Sequence, residues 1–212
     1  MFKADAPHIV DLSTFPRRAH YDYFRTMDYP YAGVTVNCDI TRFMQRRRDL
    51  GHPFFLNLLY HVSRAANQVP ELRQRILGEN IIQYDWCTSS HTVAKPDGTY
   101  AYCVLRSDMP FETYLPAAIE LHEACKHDGT IEEDDSALAS FFISSVPWIN
   151  YCALVQPVPK PADSNPRISW GKYAEENGRI RIPVSLLCHH ALVDGLHMSR
   201  FYDALEAELS SL

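Results

Sequence analysis

The sequence is short of the features that would make it a metal-knuckle, membrane or nucleic-acid protein. Its six cysteines (Cys38, Cys87, Cys103, Cys125, Cys152 and Cys188) are scattered and include no C-x-x-C pair. That spacing argues against a zinc knuckle or a thioredoxin-type motif. Most of them sit in apolar or strand-like stretches, where free cysteine behaves as a small hydrophobe. No apolar run approaches the length of a membrane helix. Met1 to Pro7 carries no apolar core of a secretory signal, so a reducing cytoplasm is the expected setting. Positive charge is also scarce: 20 Lys and Arg face 26 Asp and Glu, a net charge of −6 with histidines neutral. Phosphate contacts need a basic surface, so no nucleic-acid partner is expected. A local basic patch holding an anionic cosubstrate remains compatible with that balance.

What is present is core. The 212 residues are 46% hydrophobic and 12% aromatic, enough for one domain over 1–212 with a sizeable interior. Ser13 or Thr14 is expected to cap a first helix with Pro16 in its first turn, running through Arg17 and Arg18 to Arg25. Both arginines oppose the helix dipole. They are either solvated surface charges or held by a carboxylate elsewhere. Tyr31 to Ile40 reads as a strand, and Arg42 to Leu50 as a basic helix. Phe54 to Gln68 is an apolar helix with Phe55, Leu58, Leu59 and Val62 at helical spacing. Strands follow at Arg73–Leu77, Ile81–Asp85, His91–Lys95 and Thr99–Leu105, with Pro96-Asp97-Gly98 as hairpin chemistry. A helix over about 111–127 and an acidic loop over 128–136 come next. A strand from Ala139 breaks at Pro147 and is expected to resume over Tyr151–Val155. Arg167–Ala174 and Arg179–His190 are strands joined by a Glu176-Asn177-Gly178 turn, and a last helix starts at Gly195. Clustered strands and covering helices give an α/β class: a two-layer α/β sandwich with a mixed, largely antiparallel sheet.

The chemistry concentrates in Cys188-His189-His190-Ala191-Leu192-Val193-Asp194-Gly195-Leu196-His197. Strand alternation puts His189 and His190 on opposite faces, so they do different work. Asp194 precedes a helical pattern and reads as its N-cap. His190, Asp194 and His197 have the spacing of metal ligands on one helical face. However, His190 ends a strand and Gly195 breaks the turn, so no metal is expected. General-base catalysis fits better, because histidine takes protons near neutrality and His190 would be rigidly held. Such a base needs an oxyanion partner, for which Ser144 and Ser145 are candidates.

These residues also carry a resemblance. His189-His190-Ala191-Leu192-Val193-Asp194-Gly195 fits the H-H-x-x-x-D-G motif of coenzyme A-dependent acyltransferases. Continued to His197, it looks most like the chloramphenicol acetyltransferases. Phe15 to Phe24 resembles that family's aromatic, double-arginine helix. Phe142 to Trp148 resembles its serine-x-x-proline-tryptophan segment, and Ile168 to Tyr173 with Ile182-Pro183-Val184 its penultimate strand pair. Val193 and Leu196 stand where the family commonly has cysteine and phenylalanine, and both keep the segment apolar.

The resemblance implies that His190 deprotonates an acceptor hydroxyl for attack on acetyl-CoA, while Ser144 hydrogen-bonds the tetrahedral oxyanion. It implies that Asp194 is structural and pairs with Arg18. Ser169 and Tyr173 would serve the coenzyme side, Ser169 by helping to hold a water near the transition state. Tyr23 and Phe24 would line the acceptor pocket. It further implies a homotrimer with active sites at subunit interfaces and a small-molecule acceptor such as chloramphenicol. Another alcohol, amine or thiol acceptor, or a non-catalytic homologue that only binds, are the alternatives.

Overall fold

The computed structural model describes residues 6–132 and 135–210. Residues 1–5, part of the stretch in which no leader was read, and 133–134 of the acidic loop lie outside it. Along the chain run β1 (His8–Val10), α1 (Arg18–Phe24), β2 (Tyr31–Asp39), α2 (Thr41–Leu50) and α3 (Phe54–Asn67). Then come β3 (Gln74–Leu77), β4 (Asn80–Gln83), β5 (Thr88–Ala94), β6 (Tyr100–Leu105) and α4 (Phe111–Asp128). The last third holds β7 (Ser140–Val146), β8 (Arg167–Gly171), β9 (Ala174–Glu176), β10 (Arg179–His189) and α5 (Gly195–Ser210).

The main sheet is ordered β2-β10-β8-β7-β5-β6, with β9 also pairing β10. β7 runs parallel to both β5 and β8; the other neighbours are antiparallel. β1, β4 and β3 form a separate three-stranded sheet. β10 sits inside the main sheet because both its faces are covered: residues 182–186, 188 and 189 are buried. Ile182, Val184, Leu186 and Cys188 are buried together. They join a core that includes Ile168 and Trp170 of β8, Phe141 and Ile143 of β7, and residues of α3 and α5. Phe55 of α3 lies 5.4 Å from the Trp170 ring and 5.2 Å from His91, so the helical layer packs on this side. α3 is apolar over most of its circumference, which is why it takes the middle of that layer.

Two local choices set β10's position. Asn177 and Gly178 both have positive φ, 52° and 72°, as a tight two-residue β9–β10 hairpin requires. Gly33 lets β2 approach closely, since a Cβ there would meet the Leu186 carbonyl at 2.8 Å. Pro183 is tolerated because it falls between the β9 ladder, which ends at Arg181, and the β8 ladder, which begins at Val184.

Two sequence expectations change. Ser13 and Thr14 do not cap α1; they lie in a turn in which the Asp11 carboxylate accepts from the Ser13 amide at 2.8 Å, and the helix begins at Arg18. Tyr151–Val155 does not resume a strand. Both neighbours of β7 and of β8 are already in place, so this segment finds no ladder to join. With Pro157 and Pro159 it instead runs as a strap that walls the sheet face opposite the helices.

Candidate active site

β10 ends at His189, and the next residue leaves the strand held at four points. The His190 amide donates to the Pro30 carbonyl at 2.7 Å. Its carbonyl accepts from Arg17 Nη2 at 3.1 Å. Its ring stacks on Phe24, centroids 4.1 Å apart and planes 26° apart. Its Nδ1 lies 2.9 Å from the Val193 carbonyl. A carbonyl can only accept, so Nδ1 carries the proton and Nε2 is left with its lone pair. That is the tautomer a base acting through Nε2 requires.

The turn after His190 is tied down by Asp194. Its Oδ2 accepts from Arg17 Nη1, and its Oδ1 accepts from the Leu196 amide at 3.0 Å, which caps α5. The arginine expected in this pair was Arg18, and the structure corrects it to Arg17. Residues four and seven apart share a helical face, so Arg17 aligns with buried Tyr21 and with Phe24. Arg18 aligns with Asp22 and pairs with it at 2.7 Å on the solvent side. The side chain of Arg17 is 13% exposed and that of Arg18 51%, so the adjacent arginines have exchanged expected roles.

Sequence reasoning gave His197 no task; it completes the cap. Its Nδ1 accepts from the Asp194 amide at 3.1 Å, and its Nε2 lies 3.5 Å from Glu71 Oε1. This is a capping box with histidine in place of the usual Glu or Gln. Burial lowers the His197 pKa, with Glu71 opposing the shift, so the ring stays in the neutral form the box needs. His189 faces the other way, edge-on to Tyr31 at 5.8 Å. Burial takes its pKa down to about 4, against the pull of Asp163.

Ser144 lies on the sheet face away from the helices. Register places Thr35, Ser185, Ser169 and Ser144 side by side on β2, β10, β8 and β7. Ser144 lines a cavity of about 470 Å³, with Thr92, Phe142, Leu154 and Gln156 among its other walls. Ser145 is not among the lining residues, so alternation along β7 selects Ser144 of the two.

Ser144 and His190 do not meet within one chain. Ser185 is in register with Ser169 and Ser144, and His190 is five residues further along. Five residues and two strand spacings put the two backbones about 19 Å apart. Side-chain reach closes about 7 Å of that, whereas one reacting centre needs about 3 Å to each group.

Phe24 reaches the site by stacking on the His190 ring, while Tyr23 is exposed and edge-on to Phe24 at 5.1 Å. Ser169 is fully buried and its hydroxyl accepts from Gln156 Nε2. Tyr173 lies beyond the end of β8, apart from Ser169, half-exposed and 5.6 Å from the Phe54 ring. Sequence reasoning missed Arg17 and Gln156. The helical spacing to Tyr21 and Phe24 signalled the first. Nothing in the strap's sequence signals the second.

The family model for chloramphenicol acetyltransferase matches residues 7–206. Chloramphenicol acetyltransferase 2 of Escherichia coli is 26% identical over 200 residues, covering 93% of this chain and 94% of the relative. Chloramphenicol acetyltransferase 3 of Escherichia coli is 27% identical over 201 residues, covering 92% and 93%. A solved chloramphenicol acetyltransferase superposes with a TM-score of 0.89 at 25% identity, over 96% of this chain and all of the other.

Proposed function

The chain belongs to the chloramphenicol acetyltransferase family, a family of CoA-dependent acetyltransferases, and from that premise we propose that residues 1–212 are one acyltransferase domain that moves the acetyl group of acetyl-CoA onto a hydroxyl of chloramphenicol or a similar small acceptor. The observation that carries this reading is the four-point hold on His190, with Nε2 free to take a proton. His190 removes the hydroxyl proton as the acceptor oxygen attacks the thioester carbonyl carbon. Ser144 Oγ–H donates to the carbonyl oxygen as it gains charge. When the tetrahedral centre collapses, the C–S bond breaks and the leaving thiolate takes the proton back from His190. A held base contributes about 10²–10⁴-fold and one oxyanion donor about 10²–10³-fold.

The separation of Ser144 from His190 supports a site made by two copies, the His190 turn of one facing the Ser144 cavity of the next. The family resemblance supports a homotrimer as the assembly. Phe24, and Tyr23 beside it, then shape the acceptor side around the base. Tyr173 leaves part of its ring free for the coenzyme, which suits an aromatic at a coenzyme mouth. Ser169 acts through the polar row of the sheet next to Ser144. A cytoplasmic setting accords with six free thiols. Among the described residues no helix is long and apolar enough to cross a membrane.

The test is release of free thiol when the purified protein is mixed with acetyl-CoA and chloramphenicol. Turnover is expected, falling about 10²–10⁴-fold in His190→Ala. No release with any hydroxyl, amine or thiol acceptor, or full activity in the alanine variant, would contradict the reading.

A further inference from the structure

Two histidines and two cysteines meet where α4 crosses the edge hairpin β5–β6. His91 of β5 and Cys103 of β6 are directly opposite in the ladder, so their side chains share one face. That face lies under the helices, because His91 Nε2 reaches His122 Nδ1 of α4 at 3.1 Å. Cys125 follows His122 by three residues and shares its side of the helix. The step from His91 to Cys103 is about 5 Å, and that from His122 to Cys125 about 5–6 Å. The end of α4 fixes the direction of both steps. A Cβ on Gly129 would meet the Ala101 Cβ at 2.7 Å, and the Tyr102 amide donates to the Thr130 carbonyl at 2.9 Å. One helical turn back from Gly129 is Cys125, and two residues on from Ala101 is Cys103, so the second pair meets as the first does. The two thiols are in hydrogen-bond contact. Cys103 is buried and Cys125 is partly exposed. The acetyl transfer proposed above uses neither.

We propose that Cys103 and Cys125 form a modification site, a dithiol that hydrogen peroxide converts into a disulfide tying α4 to β6. Cys125, the accessible thiol, reacts first. Its thiolate breaks the O–O bond, one oxygen stays on sulfur as a sulfenic acid, and the other leaves as water. Cys103 then attacks that sulfur and gives up its proton. The S–S bond forms, the S–O bond breaks and the second oxygen leaves as water. The two sulfurs lose two electrons, and one peroxide becomes two waters. Burial, and after it the contact with Cys125, push the Cys103 thiol up, which suits the resolving step rather than the first attack. In reducing surroundings the pair stays as thiols until peroxide rises. The bridge closes the chain from β6 through α4 into a loop and so restricts the unfolded state.

The experiment treats the full-length protein, freed of reductant, with a few equivalents of hydrogen peroxide and maps its peptides without reduction. Two of the six thiols are expected in a peptide pair joined through Cys103 and Cys125. Tm should rise by about 5–10 °C and fall back on addition of dithiothreitol. Cys125→Ser, changed only at a partly exposed position, should show neither the joined pair nor the rise. In Cys103→Ala the sulfenic acid has no thiol to condense with, so Cys125 should proceed to the sulfinic acid, read by mass as two added oxygens. A bridge to any other cysteine, or no bridge, overturns the proposal. So does a joined pair without the rise in Tm, or over-oxidation of Cys125 as fast in the unsubstituted protein as in Cys103→Ala.

Discussion

A helix turns about 100° per residue, so neighbouring arginines at its start cannot share a fate. Arg17 points along the buried Tyr21–Phe24 face and reaches both Asp194 and the His190 carbonyl. Arg18 pairs with Asp22 in solvent. Replacing Arg17 with alanine should cost about 1–3 kcal/mol, since it leaves a half-buried carboxylate and a carbonyl unpaired. Arg18→Ala should leave stability nearly unchanged, because its pair with Asp22 is solvent-exposed and screened. Urea unfolding of both variants checks the difference, and equal losses would refute the assignment. Only Arg17→Ala should also lower acetyl-transfer activity, because it alone loosens the turn that holds His190, the proposed base. The sequence contained the means to choose between the two, in the spacing 17, 21, 24. The motif resemblance assigned the role to the second arginine of the pair, whereas the helical register puts the first on the buried face.

Helices and strands with a strong pattern were legible in advance, and those defined by partners were not. α3 was readable because its apolar spacing and Pro53 start leave one solution, and the β9–β10 hairpin because Asn177-Gly178 supplies two positive-φ positions. The strap at 151–159 was not, because whether an extended segment becomes a strand depends on a free ladder. The cap of α5 was half legible: Asp194 was recognised, but histidine is not the residue a capping box usually uses. His197→Ala should cost about 1 kcal/mol, and His197→Gln, which still presents an acceptor, should recover most of it. Thermal unfolding of the pair decides this.

The same elements bury histidines that must stay neutral. His91 on β5 stacks on His122 of α4, planes 6° apart and Nε2 3.1 Å from Nδ1. Burial, with His122 adding, takes the His91 pKa from 6.5 down to about 3. His189 falls to about 4 by burial. A lowered folded-state pKa means that the unfolded chain binds the protons first. Stability is therefore full above about pH 6.5 and drains as pH falls towards these values. Between about pH 4 and 6 the two should contribute a dependence approaching two protons, and His91→Phe should remove one of them. Urea midpoints measured across that range would show it; a flat profile would count against neutral burial.

At the scale of the whole molecule, the site's two halves lie at different places on one sheet. His190 is at the end of β10, and Ser144 is level with Ser185, five residues back and two strands across. No local sequence signal carries that distance, because it is set by strand order and register. The proposed roles of His190 as base and Ser144 as oxyanion donor at one carbonyl therefore call for two copies of the chain. His190→Ala and Ser144→Ala should each be nearly inactive alone. Unfolded together in equal amounts and refolded, random assembly gives about a quarter of interfaces an intact His190 facing an intact Ser144. Recovery of thiol release from acetyl-CoA and chloramphenicol to about a quarter of the unsubstituted protein's rate is the expected result. No recovery from the mixture, or substantial activity in either variant alone, would contradict a shared site built on His190 and Ser144.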